Sequence, residues 1–168
     1  MIIRSKRIYT EDLVVDGYLV FDQGKIQAIK PYTENLEADL DVKDKRIIPG
    51  IFDTHNHGTY GYMLEDLRVD AKAHIQGYLK ALAAQGVTGV FPTCASFSNF
   101  PSCSPAMIKT IAEVAKEDSE GATILGIHSE GPWLNRTGEK GGKVVVPKAD
   151  LQIAKQMVEP AVTGNISQ

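Results

Sequence analysis

The feature that most limits the fold is a change of rhythm at Pro49-Gly50. After it, short apolar runs with strand character alternate with stretches whose apolar residues recur at helical spacing. The runs are residues 51–57, Val87-Thr88-Gly89-Val90-Phe91-Pro92-Thr93 and Ala122-Thr123-Ile124-Leu125-Gly126-Ile127-His128. Ala71, Ile75, Tyr78, Leu79 and Leu82 share one helical face between the first two runs. Met107, Ile108, Ile111 and Val114 or Ala115 form a second stripe, and Leu151, Ile153, Ala154, Met157 and Val158 are the apolar residues of a third helix. The punctuation agrees. Gly86 is placed to end the first helix. Ser104 and Pro105 suit the N-cap and first position of the second. Asp150 can cap the third, and Pro160 is expected to stop it. Strands that alternate with helices are expected to run parallel, joined by right-handed crossovers. The expected class is therefore α/β, with a fourth strand due at residues 162–168 and loops over 58–69 and 135–147.

Residues 1–48 read differently. Leu13 to Phe21 is an extended run, Asp22-Gln23-Gly24-Lys25 a turn, and Ile26 to Ile29 a second run. Asp and Gly tolerate the backbone angles that a hairpin needs. Residues 33–41 are acidic and polar, as in a loop. The expected division is a small β-domain over 1–48 and an α/β domain over 49–168.

Length and charge close off other classes. A chain of 168 residues has room for one domain or one and a half. A net charge of −3 gives no support to nucleic-acid binding or to an anionic membrane surface. No run is apolar enough to span a bilayer. Met1-Ile2-Ile3-Arg4-Ser5-Lys6-Arg7 lacks the hydrophobic stretch of a signal peptide, so a cytoplasmic location is expected. Cys94 and Cys103 are the only cysteines and are expected to stay reduced.

The chemistry concentrates at two strand ends. His55 and His57 are two residues apart, a spacing that puts them on one strand face about 6–7 Å apart along the backbone. From there both imidazoles can converge on one metal ion. Asp53 shares that face and can orient a ligand. At the end of the third run, Glu130 precedes a turning Gly131-Pro132 and is placed to bind the same kind of ion. His128 lies two residues deeper and is open to either reading, ligand or hydrogen-bonded group. Histidine and carboxylate donors suit zinc, iron and other transition ions.

These segments resemble a known family. PGIFDTHNHG resembles the entry signature of the amidohydrolase superfamily, and GIHSEGPWLN resembles the Glu-Gly-Pro segment of N-acetylglucosamine-6-phosphate deacetylases. Gly86-Val87-Thr88 and Pro92-Thr93 extend the likeness. The resemblance implies a (β/α)8 barrel beside a small β-sandwich built from both chain ends. This chain would then hold the N-terminal β-sandwich portion and the first three βα units of an incomplete barrel. It implies Glu130 as a metal ligand, and His55 and His57 as holders of a second ion. It also implies Lys143 and Asn135 at the substrate, Lys143 standing where relatives often carry the His of a Gly-Ala-His. The implied reaction is hydrolysis of the acetamide of N-acetylglucosamine 6-phosphate to glucosamine 6-phosphate and acetate. The implied cofactor is a divalent metal, zinc or iron foremost, and the implied partner is a small amino-sugar phosphate.

The family also needs two further metal histidines, an aspartate as general acid and base, and residues that grip the phosphate. These have no counterpart in the 168 residues, so the chain looks truncated and is expected to be inactive alone. An interrupted barrel exposes strand edges and apolar faces, which favours a homo-oligomer. Two alternatives stand beside this reading. One is a catalytically dead remnant. The other is a dihydroorotase- or hydantoinase-like enzyme, against which the Glu-Gly-Pro segment weighs.

Overall fold

The computed structural model describes residues 1–64, 70–95, 105–117, 119–130, 133, 136–137, 142–143 and 148–162, with backbone alone at 95, 105, 136–137, 142–143 and 160–162. The chain divides into two compact units, Met1–Pro49 and Gly50–Gln168.

In the first unit, β1 (Ile2–Tyr9), β2 (Val14–Asp22) and β3 (Lys25–Pro31) pair antiparallel in sequence. The short β4 (Leu40–Asp41) and β5 (Arg46–Ile47) both add to β1 in parallel. The β2–β3 hairpin turns at Gln23 and Gly24, both with positive φ (48° and 73°), the pair of angles that a tight hairpin of this hand requires. Ser5 is fully buried, yet its hydroxyl is satisfied twice. It donates to the Lys45 carbonyl at 2.6 Å and accepts the Arg7 amide at 2.9 Å. This lies where the β1–β2 register shifts, so the side chain replaces ladder bonds that the shift removes. The five strands form one sheet, and Val14, Ile26, Ile29 and Leu40 remain exposed.

The second unit is built on β9 (Val87–Ala95). Before it come β6 (Ile51–Asn56), the small hairpin β7 (Gly58–Thr59) and β8 (Tyr62–Met63), and α1 (Ala71–Ala83). After it come α2 (Pro105–Val114), β10 (Thr123–Ile124), β11 (His128–Glu130), the antiparallel pair β12 (Arg136–Thr137) and β13 (Gly142–Lys143), and α3 (Leu151–Val162). The strands β6, β10 and β11 all pair with β9 in parallel. The α/β class follows directly. The helical stripes bury as their spacing requires. Ile75, Tyr78, Leu79 and Leu82 of α1 join Met107, Ile108, Ile111 and Val114 of α2 in one cluster with Val87, Val90 and Cys94 of β9. Cys94 is a buried thiol.

Several expectations are corrected. The first helix ends at Ala84 rather than at Gly86. Gly86, with φ 85°, follows two residues later and donates its amide to Ala83 at 2.9 Å. The third strand is split, and the loop over 58–69 contains the β7–β8 hairpin. The loop over 135–147 contains the β12–β13 pair. Helix α3 continues past Pro160 to Val162. A proline loses its own N–H bond and its ring crowds the carbonyl four residues earlier, but only two helical residues follow Pro160, so few rungs remain to be lost. The third helix is found as expected, with Met157 buried and Leu151, Ile153 and Val158 exposed. Ser104, Cys103 and residues 163–168 lie outside the described residues. No described helix is long and apolar enough to cross a membrane.

Ile111 is fully buried between the helices and β9. Ile111→Ala should cost about 2–5 kcal/mol, a large part of a small domain's typical stability of about 5–15 kcal/mol. Asp70, whose carboxylate accepts the Ala73 amide at 2.8 Å, caps α1. Asp70→Ala should cost about 1 kcal/mol. Urea unfolding followed by helical circular dichroism measures both, and the order of the two losses is the prediction.

Candidate metal centre

Parallel pairing through β9 puts the end of β6 beside the end of β11. His55 stands on β6, His57 just past it, and His128 and Glu130 on β11. Both flanking strands are irregular there. Between Asp53 and Asn56 β6 advances three residues while β9 advances two, from Val90 to Pro92. Between Ile124 and His128 the third strand advances four residues while β9 advances three, from Val90 to Thr93. Each strand therefore carries one extra residue at the point where the site begins. Such bulges bend a strand and re-aim its side chains, and they recur beside functional sites.

The result is a close cluster. The Glu130 carboxylate spans the two imidazoles, with Oε1 3.1 Å from His55 Nε2 and Oε2 3.4 Å from His57 Nε2. The two Nε2 atoms are themselves 3.1 Å apart. At that separation two nitrogen lone pairs repel unless a proton or a cation lies between them. Two nitrogens on one tetrahedral zinc, each at about 2.0–2.1 Å, stand roughly 3.3 Å apart, so the pair has the spacing of shared ligands. His128 joins them, its ring 4.7 Å from that of His55. Its Nδ1 lies 3.0 Å from the Thr54 carbonyl. A carbonyl can only accept, so Nδ1 is the donor, and in the neutral ring Nε2 is the nitrogen left to bind an ion. Ligand atoms of His55, His128 and Glu130 all lie within 4.8 Å of one another. Three imidazoles and a carboxylate, partly exposed, make a donor set that fits a divalent transition ion. The side chain of Glu130 is 28 % exposed, so the cluster is reachable from solvent.

Asp53 acts on the backbone that carries His55 rather than on its ring. Its Oδ1 accepts the His55 backbone amide at 3.2 Å and its Oδ2 accepts Asn56 Nδ2 at 2.7 Å. Thr93, fully buried on β9, accepts the Asn56 backbone amide at 2.9 Å. The Tyr78 hydroxyl donates to Asn56 Oδ1 at 3.0 Å. Burial raises the Tyr78 pKa well above the ordinary tyrosine range, with smaller contributions from Asp53 and Cys94. Of the two residues expected at the substrate, Asn135 lies outside the described residues. Lys143 pairs with Arg136 in the β12–β13 hairpin, and its side chain is outside the described part.

Comparison with known proteins bears on what this cluster serves. No family model matches the chain. N-acetylglucosamine-6-phosphate deacetylase of Bacillus subtilis (strain 168) is 27% identical over 172 residues, which cover 96% of this chain and 41% of that protein. The Danio rerio protein of the same name is 31% identical over 147 residues, covering 84% of this chain and 33% of its own length. Among solved structures, the Mycobacterium smegmatis N-acetyl-D-glucosamine-6-phosphate deacetylase superposes with a TM-score of 0.73 at 19% identity. That match covers 98% of this chain and 45% of the other, and it carries the fold. The chain thus spans between a third and two fifths of the curated relatives it matches.

Two predictions follow from the bonds beneath the cluster. Thr93→Val keeps the shape but leaves the Asn56 amide without its acceptor, at a cost of about 1–3 kcal/mol in denaturant unfolding. Tyr78 holds its proton more tightly folded than unfolded. Stability should therefore be intact below about pH 10, the unfolded tyrosine value, and fall as pH rises beyond it. Tyr78→Phe should remove that part of the alkaline loss, measured as unfolding midpoint against pH.

Proposed function

We propose that this chain, whose curated relatives and structural neighbours are N-acetylglucosamine-6-phosphate deacetylases matched over most of its length, is the N-terminal portion of such an enzyme. In this reading the protein hydrolyses the acetamide of N-acetylglucosamine 6-phosphate, giving glucosamine 6-phosphate and acetate. The observation that carries it is the Glu130 carboxylate, which meets both imidazoles of His55 and His57 across 75 and 73 residues of chain, on a fold shared with those enzymes.

Glu130, His55 and His57 would hold a divalent cation, zinc or iron foremost, with His128 beside them. When bound, the cation supplies Lewis acidity toward the acetamide carbonyl and lowers the pKa of a water at the site. The side chains do the rest of what this segment offers. Glu130 balances the cation's charge, and the cation in turn would relieve the repulsion between the two imidazole nitrogens. Thr54 holds His128 in one tautomer. Asn135 and Lys143 are assigned to the amino-sugar phosphate. The aspartate that handles the proton, the two further metal histidines and the phosphate grip fall to the remainder of such an enzyme, which makes up more than half of the relatives' length.

The same reading takes Gly50 onward as the first three βα units of a (β/α)8 barrel, supported by the parallel order of β6, β9 and β11. It takes Met1–Pro49 as one layer of a β-sandwich, supported by the exposed Val14, Ile26 and Ile29. A cytoplasmic location belongs to the same reading. Self-association as a homo-oligomer suits Ile51 and Phe52, which stand 46% and 68% exposed on β6.

Acetate release from N-acetylglucosamine 6-phosphate, with zinc or ferrous iron added, tests the function. The 168-residue chain alone should give none above background, since general acid–base catalysis is typically worth about 10²–10⁴-fold. Metal content should fall to background in Glu130→Ala. Turnover by the chain that Glu130→Ala abolishes would contradict the predicted inactivity and support the site. Metal content untouched by Glu130→Ala would contradict the site itself.

A further inference from the structure

We infer that Tyr78 and Asn56 are positioning residues: a hydrogen-bonded chain from helix α1 sets the turn that carries His55 and His57, and so the separation of their imidazoles. The inference rests on reading those imidazoles with Glu130 as a metal site.

Asn56 lies between the two histidines, at the end of β6 where the bulge interrupts the ladder with β9. Backbone groups at such a break need other partners. One side-chain amide supplies several. Asn56 Oδ1 accepts the Gly58 amide at 2.9 Å and the Tyr78 hydroxyl at 3.0 Å. Asn56 Nδ2 donates to Asp53 Oδ2 at 2.7 Å, and Asp53 Oδ1 accepts the His55 amide at 3.2 Å. The orientation of the amide is not arbitrary. The Gly58 N–H can only donate, so the oxygen must face it, and the nitrogen must then face Asp53. A chain of bonds thus runs from Tyr78 through Asn56 to Gly58 on one side and through Asp53 to His55 on the other. It brackets both histidines.

The anchor of this chain is rigid. Tyr78 is wholly buried on α1, among core residues that would pack a phenylalanine equally well. Burial also keeps its hydroxyl protonated, so it serves as a donor throughout the working pH range. Leu64 ties the far side, its amide donating to the His57 carbonyl at 2.9 Å. Loss of the Tyr78 hydroxyl leaves the amide held by Gly58 and Asp53 only, both on the same turn. The turn then loses its one side-chain tie to α1 among those described here, and the imidazoles lose their fixed spacing. Partners that orient metal ligands in this way typically change metal affinity by about 10–100-fold when removed.

The test uses cobalt(II) as the probe, titrated into the purified protein and followed by its visible absorption. Wild type, Tyr78→Phe, Asn56→Ala and Glu130→Ala are compared, with thermal unfolding of each. Exchange of the Gly58 amide is followed by NMR. The expected result is cobalt affinity weaker by about 10–100-fold in Tyr78→Phe, with an altered visible band and faster Gly58 exchange, in a protein that still unfolds cooperatively. Unchanged cobalt affinity and band in Tyr78→Phe would overturn the inference. If wild type and Glu130→Ala bind cobalt alike, the metal reading fails, and Gly58 exchange decides alone. Faster exchange in Tyr78→Phe then supports the positioning role and unchanged exchange overturns it. Should Tyr78→Phe fail to fold, Asn56→Ala decides by the same readouts.

Discussion

Everything in the candidate site depends on parallel pairing to one strand. β9 holds β6 and β11 in the same direction, so their C-terminal ends lie together. Without that arrangement His55 and Glu130 would be 75 residues apart with no reason to meet. The pairing is itself supported by the apolar faces of α1 and α2, whose Ile75, Leu79, Ile108 and Ile111 share one buried cluster with Val87, Val90 and Cys94 of β9. The order of cause runs from helical spacing in the sequence, to burial, to strand order, to a carboxylate beside two imidazoles.

The bulges turn that arrangement into a site. A regular strand would send Asp53, His55 and His57 to one face at fixed intervals. One extra residue in β6 breaks that interval, and Asp53 turns to the backbone instead of to an imidazole. One extra residue in the third strand does the same before His128 and Glu130. Irregular backbone at the end of β6 leaves amides without ladder partners. Asp53, Thr93 and Asn56 accept those of His55, Asn56 and Gly58, and Tyr78 holds the Asn56 side chain in place. The cost of irregularity is met by polar side chains drawn from three different elements.

This explains what could be read from the sequence. The stripes of α1 and α2 were legible because their residues are buried, and burial enforces the helical period. Helix α3 also starts where the sequence places it, after a cap at Asp150, although Leu151, Ile153 and Val158 are exposed. Pro160 does not end α3, because only two helical residues follow it and few bonds are left to lose. Both bulges were invisible, since register depends on the partner strand. The short pairs β7–β8 and β12–β13 carry too few residues for any period to show. At the site, the strand-end positions that bring Glu130 against His55 and His57 were legible in the sequence, but the turn of Asp53 to the His55 amide was not. The tautomer of His128 was not, because the Thr54 carbonyl that fixes it lies 74 residues away.

The central claim is that the side chains at the ends of β6 and β11 together form one metal site. X-ray absorption at the zinc edge of the zinc-loaded protein tests it most directly. A site built by these residues gives scattering from at least two imidazoles, with zinc–nitrogen distances of about 2.0–2.1 Å. A shell of water oxygens alone, with no imidazole scattering, would contradict it.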